Sequence, residues 1–297
     1  MVTSEAQNAD EDLSKKHPKI LCLFLDGLGV AADSEFNAVT KAKLMHLKKY
    51  VRDFPVTLLA GTTKDENRRY WSLGTGLEDN SDIFPQALSS VVEIISQHNL
   101  KQLKICASEQ ALSLNLFFNN YKGSPYLEEK RVCINTPSEE DTLNDLAKDL
   151  SRLIRDNYQS GKYDVIYASL PLAHEAAWRG DFKKAIKALE ALDKLLAKII
   201  NPIINAGDLV LLLSPYGNIE RTRDILGDWD DKEATHNPVP FLLLGAEYEG
   251  KTIGLADPLD GDLSILAPGG TLADFAPTLL SLLNIDKPKF MTGESLI

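Results

Sequence analysis

The stretch Lys19-Ile20-Leu21-Cys22-Leu23-Phe24-Leu25-Asp26-Gly27 sets the reading of the whole chain. Its apolar run shows no alternation, as a strand buried on both faces does not, and it breaks at an acid and a glycine suited to a tight turn. The pattern recurs at Phe54 to Leu59, Leu103 to Ala107, Tyr163 to Ala168, Leu209 to Leu213, Phe241 to Gly245 and Leu263 to Leu266. Between these runs lie stretches of helical periodicity. Gln86 to Gln97 places Leu88, Val91, Val92 and Ile95 on one face. Glu140 to Tyr158 follows Ser138-x-x-Asp141, an opening that resembles a capping box. Asp181 to Ile204 carries Ile186, Leu189, Leu192, Leu196, Ile199 and Ile203 as one stripe and closes at Ala206-Gly207. Asp274 to Leu283 is the last helix. Strands alternating with helices predict an α/β fold, a three-layer sandwich around a largely parallel central sheet.

Composition narrows the function. Lys and Arg number 32 against 43 Asp and Glu, a net charge of −11 with a pI near 5.0. A nucleic-acid or anionic-membrane surface would need a basic face, so neither partner is expected. No apolar stretch reaches the roughly 18 residues of a spanning helix. Residues 1–17 are polar and acidic without an apolar core segment, which predicts a disordered acidic tail rather than an export signal. Residues 18–297 then form one domain, with the cytoplasm as the expected location. Cys22, Cys106 and Cys133 are far apart in sequence and include no CxxC pair, which argues against a disulfide framework or a thiolate zinc site. Two of them sit in apolar runs and are expected as buried free thiols.

Ligands of such a sheet sit where strands hand over to loops at their carboxyl ends. The loops of interest are Asp26 to Gly29, Gly61 to Arg69, Pro171 to Trp178 and Ser214 to Asn218. A carboxylate at a buried strand end is placed to hold a divalent cation, or simply to cap the turn; Asp26 admits both readings. Gly27-Leu28-Gly29 also matches part of a dinucleotide fingerprint, with Ala32 at the third position. That match is weak, because Asp26 would repel a pyrophosphate.

Several segments in order resemble the cofactor-independent phosphoglycerate mutases of the alkaline phosphatase superfamily. These are Leu23 to Gly29, Trp71-Ser72-Leu73-Gly74-Thr75-Gly76, Leu103 through Asn119, Gly180 through Asp193, Asn237-Pro238-Val239-Pro240-Phe241, Leu272 through Leu280 and Met291-Thr292-Gly293. The resemblance implies an alkaline-phosphatase-like core and a site of paired metal ions beside a Ser or Thr nucleophile. Such a pair of cations holds the attacking and leaving oxygens in line.

Carried over residue by residue, the resemblance leaves little of that site. Asp26 matches the first metal ligand. The nucleophile position falls on Glu66, expected to pair with Arg68 and Arg69. The Asp-His pair of ligands falls on His174 and Trp178, and an indole cannot ligate a metal. A second Asp-His pair is Pro215-Tyr216, and the last histidine falls on Ala234, with His236 two residues away. Gln110 and Ser113 replace an expected Lys and His. The chain also passes from Leu77 to Gln86 through Glu78 to Asp82, where the mutases carry an inserted substrate domain.

Two functional readings follow. In the first, the protein is a catalytically inactive relative kept for binding or assembly. Trp178 and Tyr216 then fill the space of the ions, and Arg68, Arg69, Trp71, Trp178 and Arg179 contact a protein partner or a small phosphorylated ligand. No resident cofactor is expected beyond one divalent cation, manganese or zinc, at Asp26. In the second, it is a minimal metal-dependent phosphoester hydrolase or phosphotransferase. Asp26, His174 and His236 are then ligands, and Glu66 or Thr62 serves as nucleophile or base.

Overall fold

The computed structural model describes residues 17–81, 88–136, 143–178, 181–221, 233–254, 258 and 261–297. The opening run forms β1 (Ile20–Phe24), and every one of its residues is buried. The other strands are β2 (Val56–Ala60), β3 (Gln102–Ala107), β4 (Glu129–Ile134), β5 (Val165–Ser169), β6 (Leu209–Leu213), β7 (Val239–Leu244) and β8 (Gly270–Thr271). They form one sheet in the order β4-β3-β5-β1-β6-β7-β2-β8. All neighbours run parallel except β7, which is antiparallel to both β6 and β2.

Alternation along β1 builds the two outer layers. Leu21 and Leu23 point into one apolar cluster, closed by α1 (Ala38–Lys41), α2 (Met45–Asp53), α5 (Leu143–Gln159), α6 (Leu172–Trp178) and α7 (Phe182–Asn205). Ile20, Cys22 and Phe24 point into the other, closed by α3 (Glu66–Thr75), α4 (Val91–Gln97), α8 (Phe275–Leu282) and a π-helical turn at Ser113–Phe117. The expected three-layer α/β sandwich is thus present. Its long helix α7 starts at Asp181, whose carboxylate accepts from the Lys184 amide at 3.0 Å. That helix buries Leu189, Leu192, Leu196, Ile199 and Ile203, each worth about 1.5–3 kcal/mol.

Three differences from the sequence reading have simple causes. Leu263–Ile265 is a 3₁₀ turn rather than a strand: Asp262 caps the Ser264 amide at 2.9 Å, and Ile265 is largely exposed. The edge strand β4 carries Glu129, Lys130 and Arg131, so it lacks the apolar run that marks the central strands. The helix expected from Gln86 begins at Val91, capped by Ser90, and residues 86 and 87 lie outside the described residues. The opening motif Ser138-x-x-Asp141 also lies outside them. Among the described residues, no helix is long and apolar enough to cross a membrane.

Candidate functional site

The carboxyl ends of β5, β1 and β6 lie side by side, and their loops are laced together by backbone hydrogen bonds. The Gly27 amide donates to the Tyr216 carbonyl at 3.1 Å, the His174 amide to the Asp26 carbonyl at 3.0 Å, and the Asn218 amide to the Gly27 carbonyl at 3.0 Å. Gly27 has φ +87°, and a Cβ there would stand 2.7 Å from Asn218 Oδ1 and from the His174 nitrogen. Only glycine satisfies both demands.

Asp26 is fully buried at the centre of this weave. Its Oδ1 accepts from the Tyr70 hydroxyl at 2.6 Å, and its Oδ2 accepts a short hydrogen bond from the Ser169 hydroxyl. Tyr70 lies one helical turn after Glu66 on α3, so both side chains reach the same centre. Of the arginines expected beside it, Arg69 attracts the Glu66 carboxylate electrostatically. Glu66 hydrogen-bonds the Tyr216 hydroxyl and lies 3.8 Å from His174 Nδ1. The edge of one ring meets the other between His174 and Tyr216, with centroids 5.6 Å apart. Asn218 Nδ2 lies 3.4 Å from His174 Nδ1.

Burial dominates the electrostatics. It pushes the Asp26 carboxyl up to about 6, against the opposing effect of the Ser169 and Tyr70 hydroxyls. Burial and then the Asp26 charge push Glu66 up to about 7, while the Tyr216 hydrogen bond opposes them. Burial drives His174 down to about 4, so its ring is neutral at pH 7. The nearby fixed cation is Arg69, itself buried, which donates to the Thr63 carbonyl at 2.6 Å and the Thr235 carbonyl at 2.8 Å.

The donor set does not suit a divalent ion. Each Asp26 oxygen spends one lone pair on a hydroxyl proton, which leaves the carboxylate a poorer ligand than an open one. Among the described residues, no group of three or more His, Cys, Asp or Glu side chains is arranged to hold one. His236 does not join Asp26: it is exposed and lines a separate cavity of about 640 Å³ with Thr62, Thr63, Lys64 and Arg68. Thr62 lines that same cavity, and its hydroxyl donates to Asp79 Oδ1 at 2.5 Å. Asp79 also accepts the amides of Thr62 and Thr63.

The positions at which the resemblance finds no metal ligand divide in two. Tyr216, Pro215 and Ala234 are buried in the weave. Trp178 does not fill the centre: it is 51% exposed at the end of α6 and stacks on His174 with centroids 6.2 Å apart. Of the residues expected to meet a partner, Arg69 and Trp71 are wholly buried. Trp71 donates to Asn120 Oδ1 at 2.9 Å, and Arg68 stacks over its ring at 3.9 Å. Arg179 lies outside the described residues. Gln110 is buried, and Ser113 donates to Asn67 Oδ1 at 2.8 Å on α3.

Sequence reasoning missed Tyr70, Ser169 and Asn218. The spacing of Tyr70 from Glu66 on a helix was a signal. Ser169 gave none, since only the register that sets it beside Phe24 brings it to Asp26.

Comparisons with known proteins agree with this architecture. Residues 18–287 match the family described as the Metalloenzyme superfamily. The 2,3-bisphosphoglycerate-independent phosphoglycerate mutase of Syntrophotalea carbinolica is 31% identical over 76% of this chain and 41% of its own length. That of Acaryochloris marina is 33% identical over 72% of this chain and 39% of its own. The chain therefore spans about two-fifths of these relatives. Among solved structures, Leishmania mexicana phosphoglycerate mutase at low cobalt concentration superposes with a TM-score of 0.76 at 12% identity, covering 96% of this chain and 98% of that one. Alkaline phosphatase from the Antarctic bacterium TAB5 superposes at 0.61 and 11% identity, covering 92% of this chain and 99% of that one. At such identities these superpositions speak for the fold alone.

Proposed function

The chain belongs to the Metalloenzyme superfamily, and on that premise we propose that it is a catalytically inactive member that binds a small phosphorylated ligand. One observation carries the reading: the carboxylate just past the carboxyl end of β1 is bonded by the Tyr70 and Ser169 hydroxyls instead of standing open. Tyr216 and the neutral His174 fill the remaining space, and the buried Arg69 supplies positive charge without an ion. A phosphoryl transfer that relies on paired cations loses its main electrostatic aid there. The short link after Leu77, in place of a substrate domain, removes a means of positioning and of excluding water.

The ligand's place is the neighbouring cavity of about 640 Å³. Asp65 and Asp79 also line it, Asp65 bonded to the amides of Asn67 and Arg68, and Asp79 to Thr62 and Thr63. Lys64, paired with Glu233 at 3.4 Å, Arg68, which donates to the Asp79 and Ser81 carbonyls, and His236 lie along its wall, and a phosphoryl group would compete for these contacts.

The second reading, a minimal metal-dependent phosphoester hydrolase, rests on Glu66, which lies 3.8 Å from His174 Nδ1 and feels the Asp26 charge. A chromogenic phosphomonoester with manganese or zinc separates the two. Our reading expects turnover at the buffer rate, with saturable binding of 3-phosphoglycerate that His236→Ala and Lys64→Ala weaken. Metal-dependent turnover abolished in Asp26→Asn would establish the hydrolase instead.

A further inference from the structure

On the outer edge of the sheet, two thiols separated by 27 residues meet. Cys106 on β3 and Cys133 on β4 are register partners, and their sulfurs are 3.2 Å apart. Cys106 is fully buried, whereas Cys133 is exposed on the edge strand. We propose that Cys106 and Cys133 form an oxidation site, a dithiol that a hydroperoxide converts into an intramolecular disulfide.

The geometry meets the requirements of both half-reactions. Neighbouring strands lie about 4.8 Å apart, within the about 4.4–6.8 Å between Cα atoms that a disulfide bridges. The solvent-facing thiol is also the acidic one. The Cys106 S–H hydrogen bond chiefly stabilises the Cys133 thiolate, with help from the Asn115 amide at 3.5 Å and the Arg131 charge. Cys106, buried and bonded to that thiolate, is held as the thiol. A reactive cysteine has this combination of access and thiolate character, and a resolving cysteine sits within reach of it.

The chemistry balances. The Cys133 thiolate attacks one oxygen of the peroxide, the O–O bond breaks, and the departing alkoxide or hydroxide takes a proton from solvent. Cys133 is left as a sulfenic acid. The Cys106 sulfur then attacks the Cys133 sulfur, the S–O bond breaks, and the hydroxide leaves as water with the Cys106 proton. Two thiols are oxidised by two electrons and one hydroperoxide is reduced.

The test uses the full-length protein, reduced, desalted, treated with hydrogen peroxide, then alkylated in denaturant and mapped by mass spectrometry. The expected product is a peptide pair joined through Cys106 and Cys133, lighter by two hydrogens, with Cys22 alkylated and the chain still monomeric on a non-reducing gel. Dithiothreitol should restore three alkylated cysteines. In Cys106→Ser, dimedone should trap a sulfenic acid at Cys133. In Cys133→Ser, Cys106 should react with peroxide at least tenfold more slowly. Full alkylation of both thiols after peroxide, or crosslinks that join two chains or involve Cys22, would overturn the proposal. The wild-type map decides this even if a variant fails to fold.

Discussion

The Tyr70 hydroxyl stands 2.6 Å from Asp26 Oδ1, so a proton donor sits on the carboxylate that the resemblance to the mutases matches to a first metal ligand. Both partners are fully buried, and the Tyr70 ring packs edge-on against Phe24 with centroids 5.7 Å apart. The hydrogen bond is therefore held by the core as well as by its own energy.

Tyr70→Phe keeps the ring and removes the donor. The buried carboxylate then depends on Ser169 alone, and the expected cost is about 1–3 kcal/mol in urea unfolding. Because the Tyr70 hydroxyl lowers the Asp26 pKa, its loss should cost more at pH 8, where the carboxylate is ionised, than at pH 5. Equal stability of variant and wild type at both pH values would speak against a closed carboxylate.

Asp26→Asn should flatten the pH dependence of stability. The Asp26 carboxyl is raised from 3.8 to about 6 in the folded protein, so the native state holds its proton more tightly than the unfolded chain. Its stabilising effect is complete below about pH 4 and lost as pH rises through 6, a difference of about 3 kcal/mol. Glu66 acts in the same direction and finishes near pH 7. Wild type should lose stability between pH 5 and pH 8, and the variant should lose distinctly less. Parallel curves would refute the buried, costly carboxylate.

Gly27→Ala tests the lacing of the loops. The added methyl meets Asn218 and the His174 backbone at 2.7 Å, in a φ region that disfavours a side chain. A loss of about 2–3 kcal/mol is expected, or roughly 5–10 °C in Tm. An unchanged Tm would mean that the loops are not fixed as described.

The sheet was legible because central strands buried on both faces must be continuous apolar runs, as Ile20 to Leu25 and Leu209 to Leu213 are. Edge elements escape that rule: β4 is rich in charge, and β8 has only two residues. At the site, the replaced positions could be placed from the resemblance, and Tyr216 does stand in the centre. What replaced the old contacts was hidden, because Ser169 and Asn218 reach Asp26 and His174 only through strand register and loop lacing. Exposure was hidden too. Arg69 reads as a surface contact in sequence, yet backbone carbonyls of Thr63 and Thr235 hold it inside. Cys106 and Cys133 looked unrelated until β3 and β4 paired in register.

Whether Asp26 holds a cation separates a closed carboxylate from a metal centre. Isothermal titration of metal-free protein with manganese and with zinc, on wild type and Asp26→Asn in parallel, measures this directly. A closed carboxylate gives heats of dilution alone, or weak heats identical in both proteins. Saturable binding of at least one ion per chain that disappears in Asp26→Asn would contradict it.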